Sequence, residues 1–262
     1  MNKKIYVVTG AEGWIGSRVA TKLRELGHQV RTIDMLAGEE QDLTMMRINN
    51  SYWLEVDGVF ACHGISGDVD SVENSEPYMR NNALASDRMF QHWHHRKIVY
   101  LSSLKVNRPW RNPYIASLFM KECSATENSL GLRLGSIFGE GAPEDSLIEK
   151  IVNNKLEFLS YRQYRDYIYI NDLVDIMIKL MNTDIVGVLD VGTGSPTIHE
   201  KIKEHFKLNV PNGFLHPLYE HPGVFAKSED VQLLFKNGFK ITKTVLEYIN
   251  ENIKCTTLKT SP

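Results

Sequence analysis

Val7-Val8-Thr9-Gly10-Ala11-Glu12-Gly13-Trp14-Ile15-Gly16-Ser17 is the stretch on which the reading of the fold turns. The apolar run Lys4 to Val8 before it has the pattern of a strand buried on both faces. Gly10 permits a tight turn, Gly13 lets the backbone approach a pyrophosphate, and Gly16 lets a helix, Ser17 to Leu26, pack on the strand. The helix N-terminus offers free N–H groups and partial positive charge, so phosphates need no basic side chain. A second strand, His28 to Ile33, ends in Asp34, 24 positions after Gly10 (34 minus 10). Glycines also gather in plain surface turns. A strand before them, a helix after and an acid beyond make a dinucleotide-binding pattern. An acid at Asp34 accepts both ribose hydroxyls and repels a 2′-phosphate, and no arginine follows it immediately, so NAD is expected over NADP.

Outward from this turn, strands and helices alternate. Residues 35–38 form a loop, and 39–43 are too short for a strand. Thr44 to Leu54 reads as a helix, Asp57 to Gly64 as a buried strand running into a turn, and Asn81 to His95 as a long helix. Lys97 to Leu101 is a strand ending at Ser102-Ser103. Pro113 opens a helix continued by Tyr114 to Asn128, and Leu130 to Leu134 returns to strand. The expected architecture is α/β, a Rossmann-type doubly wound parallel sheet over residues 1–139 with ligand at the carboxyl ends of its strands. Residues 140–262 read as a smaller α/β substrate lobe, with about 165–195 crossing back to the main sheet. Its expected pieces are helices at 146–152, 171–181, 198–206 and 241–253, and strands at 156–159, 167–170 and 187–191. Residues 254–262 read as a frayed tail.

The chain has 262 residues, 42% of them hydrophobic, enough for one large core or a core with a smaller lobe. A formal net charge of −2 without a long basic run argues against nucleic acid as the main partner. No stretch approaches the ~20 apolar residues of a membrane helix, and the N-terminus enters a strand directly. Cys62, Cys123 and Cys255 are few and widely spaced, which points to reduced thiols in the cytoplasm and no zinc pattern. Cys123 reads as a buried small residue. The run His92-Trp93-His94-His95 has no carboxylate or cysteine beside it, so no metal is expected.

Several marks in order resemble the extended short-chain dehydrogenase/reductases, the NAD-dependent epimerase/dehydratase type that works on nucleotide sugars. They are Thr9-Gly10-x-x-Gly13-x-x-Gly16; Asp42-Leu43; Asn81-Asn82; Tyr100-Leu101-Ser102-Ser103; Tyr114-x-Ala116-Ser117 followed by Glu122; Leu132 to Gly139; Arg165 to Leu173; and Asp190 to Gly194. The resemblance implies NAD against Gly10, Gly13, Trp14, Ile15, Gly16, Asp34, Asp42, Leu43, Ala61, Asn82 and Tyr114. It implies Ser103 and Tyr114 as the catalytic pair, and a nucleotide-linked sugar held by Ser103, Ser136 and Arg165. Arg165 would bind the diphosphate; the duller reading makes it a surface partner of Asp166 or Asp172. Such hydride transfer at a sugar carbon serves epimerisation, dehydration or reduction alike. Family members also commonly pair the two helices at 81–95 and 114–128 into a homodimer.

One departure stands out: where the family carries a lysine four residues after the tyrosine, this chain has Leu118. That lysine holds the nicotinamide ribose and lowers the phenol's pKa, and a leucine does neither. Lys105, Arg108, Arg111 and Lys121 are the candidate replacements, against the plain reading that all four are solvated. Two rivals follow: a non-catalytic NAD-binding protein that lost the lysine, and a reductase or lyase of small carbonyl compounds with no use for Arg165.

Overall fold

In the computed structural model, residues 3–46, 51–160, 163–213 and 223–253 are described. Six strands form the central sheet: β1 (Ile5–Thr9), β2 (Gln29–Ile33), β3 (Gly58–Ala61), β4 (Lys97–Ser103), β5 (Ser129–Leu134) and β6 (Gly187–Val191). They lie in the order β2-β1-β3-β4-β5-β6, every neighbouring pair parallel. The expected Rossmann-type sheet is there. Winding reverses between β1 and β3, so a crevice opens at the carboxyl ends of those two strands.

Strand residues alternate between two cores. Val8, Phe60, Val99 and Leu132 face one, with Val19 and Leu23 of the helix Trp14–Glu25 and most of the helix Ile170–Leu180. Val7, Val59, Ile98 and Tyr100 face the other, with Met89, Phe90 and Trp93. Burial on both faces explains the continuous apolar runs Tyr6–Val8, Val59–Ala61 and Ile98–Leu101.

Beyond β5 the chain builds short pairings beside the sheet. Ser136–Phe138 runs parallel to Tyr167–Tyr169, and Leu159–Ser160 runs parallel to Asn212–Gly213. Tyr164–Arg165 lies between Thr197–Ile198 and Gly223–Val224. Asp166 fastens these pieces. Its fully buried carboxylate accepts from Thr193 N (2.7 Å), Thr193 Oγ1 (2.6 Å), Gly194 N (2.9 Å) and Ala226 N (3.1 Å).

Several element boundaries differ from the sequence reading. The helix expected from Asn81 starts at Glu76, with Pro77 in its first turn, and ends at His92. Its middle, Met79–Leu84, is a π-helix. The helix expected to reach Asn128 spans Pro113–Cys123, because the chain must turn back at once into β5. The last helix begins at Val245, since Thr244 and Glu247 form a capping box, while Thr242 N and Oγ1 donate to Asp172. The strand expected at 156–159 is Leu159–Ser160, and the helix Ser228–Lys236 was not anticipated. Cys123 is exposed rather than buried, because it lies on the outward side of its helix, three residues from the exposed Met120. The helix expected at 44–54 is a turn up to residue 46 and a short helix Ser51–Leu54; residues 47–50 and the expected tail 254–262 lie outside the described residues.

Candidate active site

The glycine turn is built as its residues require. Gly10 has φ +66°, and a side chain there would meet the His63 backbone at 2.6 Å. A Cβ on Gly16 would collide with Gly10 O. Gly13 caps the helix Trp14–Glu25 without a side-chain cap, and no acid lies in the first turn. An uncapped helix start free of acids is an anion site.

Beside it a cleft of about 230 Å³ is lined by Gly10, Gly13, Asp34, Asp42, Leu43 and the wall Cys62–Ile65. Asp34 accepts from Glu12 N (2.9 Å) through Oδ2 and from Leu36 N (2.9 Å) through Oδ1, which fixes the acid against the glycine turn. Asp42 accepts from Thr44 N and Oγ1 and pairs with Arg80 at 2.6 Å. Burial alone would raise its carboxyl, but the Thr44 bonds and Arg80 hold it below its ordinary range. Other expected contacts sit elsewhere. Trp14 turns its indole away to donate to Glu140 O at 2.9 Å. Ile15, Gly16 and Ala61 are outside the lining, Ala61 fully buried behind it. Asn82 is also fully buried: it exchanges hydrogen bonds with Ile65 N (2.8 Å) and Ile65 O (3.0 Å) and donates to Ser117 Oγ (2.9 Å), while Asn81 lines the cleft. Asn82 thus shapes the wall.

A second cleft, about 670 Å³, brings together Ser103, Tyr114, Ser136 and Arg165. β4 delivers Ser103, whose Oγ accepts from Lys105 N at 3.2 Å. Asn112 caps the tyrosine helix through Ile115 N (2.9 Å) and donates to Asp68 (3.0 Å). Asp68 also pairs with Lys105, tying the loop at 66–68 over the helix start. Burial, then Asp68 and Tyr78, push the Tyr114 phenol above its ordinary value. Lys105 is held by Asp68, and Lys121 is buried behind the first cleft rather than solvated. The net effect leaves the Tyr114 phenol protonated at neutral pH. Glu122, read as part of the tyrosine motif, binds Ser102 Oγ (2.6 Å) and Arg133 in two bonds (2.9 and 2.6 Å), locking the helix to β4 and β5.

Arg165 pairs with neither Asp166 nor Asp172. Its guanidinium donates to Tyr164 O (2.9 Å) and Gln163 Oε1 (2.7 Å), and burial pulls its pKa below the ordinary value. His199 stands in the same cleft, brought down to about 4 by burial and Arg165. The sequence reading missed His63, Asp68 and His199. The turn His63-Gly64 after a buried strand was the available signal for the first; the other two became visible only through tertiary contact.

A family model described as "NAD dependent epimerase/dehydratase family" matches residues 6–192. The chain belongs to that family. NAD as cofactor and the standing of an enzyme go with membership of the NAD dependent epimerase/dehydratase family. No curated protein matches by sequence. Among solved structures, the chain is similar to TunA, an NAD-dependent NDP-hexosamine 5,6-dehydratase involved in tunicamycin biosynthesis (18% identity, 96% of this chain and 97% of that one, TM-score 0.79). It is similar to MoeE5 in complex with UDP-glucuronic acid and NAD (21%, 95% and 97%, 0.79). It is also similar to the UDP-glucose 4-epimerase of Thermus thermophilus in complex with NAD (18%, 95% and 98%, 0.73). At such identities the likeness shows the shared fold. No helix among the described residues is long and apolar enough to cross a membrane, and no cluster of three or more metal-ligating side chains occurs among them.

Asp34 sets the first expectation. Asp34→Ala should weaken NAD about tenfold or more, by loss of charge-assisted hydrogen bonds, while NADP changes little. Isothermal titration with both nucleotides checks it; equal affinities in the unmutated protein contradict it.

Proposed function

We propose that this chain is an NAD-dependent enzyme acting on a nucleotide-linked sugar by reversible hydride transfer at a sugar carbon. One observation carries the reading: Ser103 and Tyr114 share a cleft with Arg165, a half-buried cation with no carboxylate among the described residues within 4.0 Å. A non-catalytic relic has no need of the first two, and a reductase of small carbonyls has no need of the third.

The uncapped helix start and the acid-free turn suit a diphosphate, and Asp34 suits a ribose, so the first cleft fits NAD. Bound there, NAD supplies the acceptor and donor of hydride. Reduction of a sugar carbonyl adds hydride at carbon and a proton at oxygen; Tyr114 donates that proton and Ser103 Oγ hydrogen-bonds the same oxygen. The reverse direction needs the phenol's proton removed first. Arg165 meets the diphosphate with its planar fork, with Ser136 beside it. The division into a cofactor part, 1–139, and a substrate lobe, 140–262, follows from the same assignment.

Arg165→Leu should weaken a UDP-sugar roughly thirtyfold, about 2 kcal/mol, and leave NAD affinity unchanged. Titration of each ligand separately tests this. An unaltered sugar-nucleotide affinity sinks the assignment of the second cleft.

We further propose a homodimer through the helices Glu76–His92 and Pro113–Cys123. Leu84, Phe119 and Met120 are exposed there, and Leu84 and Met120 line a groove of about 720 Å³ together with Asp87 and Arg88. A second copy brings the same apolar residues and complementary charges. Light scattering at micromolar concentration should give twice the chain mass, and Phe119→Glu should halve it; a monomer in the unmutated protein overturns the pairing. The cytoplasm is the proposed place, on the ground of two free thiols, Cys62 and Cys123, and fractionation of cells tests it.

A further inference from the structure

Lys121 is only 2% exposed, although lysine is almost never fully buried without a counter-ion. Among the described residues, no carboxylate lies within 4.0 Å of its ammonium. Nζ instead points to His63 O at 3.4 Å and Leu101 O at 3.5 Å, both long for hydrogen bonds. The site has a geometric origin. Pairing between β3 and β4 ends at Ala61↔Tyr100, and the carbonyls just beyond face the gap where the strands part. Three N–H donors on two distant carbonyls leave the ammonium short of partners.

On the far side of this gap lies the cofactor cleft, whose wall is Cys62–Ile65. A Cβ placed on Gly64 would stand 3.6 Å from Nζ, so the ammonium sits directly behind that wall. The Gly10 turn touches the same wall from the other side, at the His63 backbone. One residue, His63, therefore separates the phosphate-binding turn from a buried and unbalanced positive charge.

We propose that the missing counter-ion is the ligand itself: the diphosphate of bound NAD completes the charge balance of Lys121 across the His63–Gly64 wall, so that cofactor binding draws a proton onto Lys121. This rests on the placement of NAD in the first cleft. Among the described residues, the group whose negative form would act on Lys121 is Cys62. From the end of β3, burial pushes the Cys62 thiol up to about 12, so it stays protonated. The His63 imidazole, set between Thr9 Oγ1 (2.6 Å) and Ser86 Oγ (2.9 Å), is held neutral by burial and by Lys121. β4 offers the Leu101 carbonyl, the helix at 76–92 offers the neutral Asn82, and the helix of Lys121 itself carries Tyr114, which stays protonated.

Burial brings Lys121 down to about 8, so the free protein loses this charge within an accessible range of pH. An anion across the wall favours the charged form and moves that value up. The sign follows: NAD affinity is flat below pH 7, falls as pH rises through 8, and proton uptake is largest just above 8.

Calorimetric titration of the full chain with NAD, in two buffers of different ionisation enthalpy at pH 8.5, measures the uptake. Roughly half a proton per NAD is expected, with about a tenfold loss of affinity from pH 7 to 9.5, one pKa unit of coupling. Lys121→Met should abolish the uptake and bind about tenfold more weakly at pH 7, with no pH dependence from this source. Lys121→Arg, charged at every pH used, should also show no uptake but bind as tightly at pH 9.5 as at pH 7. Uptake persisting in both variants, or absent from an unmutated protein that binds NAD, overturns the inference alone. An unmutated protein that fails to bind NAD overturns the cofactor assignment and the inference together.

Discussion

Tyr114→Phe should lower turnover by about a thousandfold, the usual worth of a placed acid or base, while NAD and sugar-nucleotide affinities stay near their starting values. The hydroxyl lost is the proposed proton source, in the cleft that also holds Ser103. The ring itself stays, so its edge-on packing against Tyr78, 6.1 Å between centroids, survives the change. Direction matters here. Burial, Asp68 and Tyr78 all keep the phenol protonated, so the unmutated enzyme is poised to give a proton, which serves carbonyl reduction. Oxidation of an alcohol needs the phenolate and should climb about tenfold per pH unit across the neutral range, whereas reduction should be flat. Leu118→Lys, which puts a cation back on the same helix, should flatten the oxidative climb, if the buried position tolerates it. Stopped-flow measurement in both directions from pH 6 to 10 decides it. An oxidation rate independent of pH across that range refutes the assignment of Tyr114.

Asp166→Ala should cost several kcal/mol of stability, because three backbone N–H groups and a hydroxyl lose their acceptor at a fully buried position. Each orphaned donor costs about 1–3 kcal/mol, and a chain of this size loses about 2–4 °C per kcal/mol. A melting temperature lower by about 10 °C or more is therefore expected by calorimetry. Asp166→Asn should recover part of it, since the amide oxygen still accepts while its NH₂ faces donors. A fall within a degree or two for the alanine variant would show that this carboxylate does not hold the lobe together. If Arg165 holds the diphosphate as proposed, the variant should also bind sugar nucleotides poorly at temperatures where it remains folded.

Much of this was legible along the chain. The glycine turn could be read because steric demand singles out glycine where backbone meets backbone, as Gly10 does at His63. β6 was read to its observed bounds, starting at Gly187 and ending just before Gly192. Ser103, Tyr114, Ser136 and Arg165 were drawn from scattered motifs, and the fold brings them to one cleft. What stayed hidden depended on direction. Arg165 and Asp166 are neighbours in sequence, which invited an ion pair, yet adjacent residues in extended chain point opposite ways. One faces the cleft and the other the interior of the lobe. Lys121 looked solvated for the reason most lysines are; its burial follows from a gap between two strands that local pattern does not encode.

The π-turn at Met79–Leu84 has a consequence for how one helix serves two masters. Ahead of it, Tyr78 leans on Tyr114; after it, Met89 and Phe90 fill the core beneath Tyr100. An unbroken α-helix advances about 100° per residue and would fix the phase between those tasks. The wider turn takes in one more residue and resets the phase, so neither end need compromise. Asn82, sitting within it, reaches Ile65 and Ser117 from an angle the regular spiral would deny it. Loss of a single residue here would leave the hydrophobic content of the helix intact and put it out of step with the site.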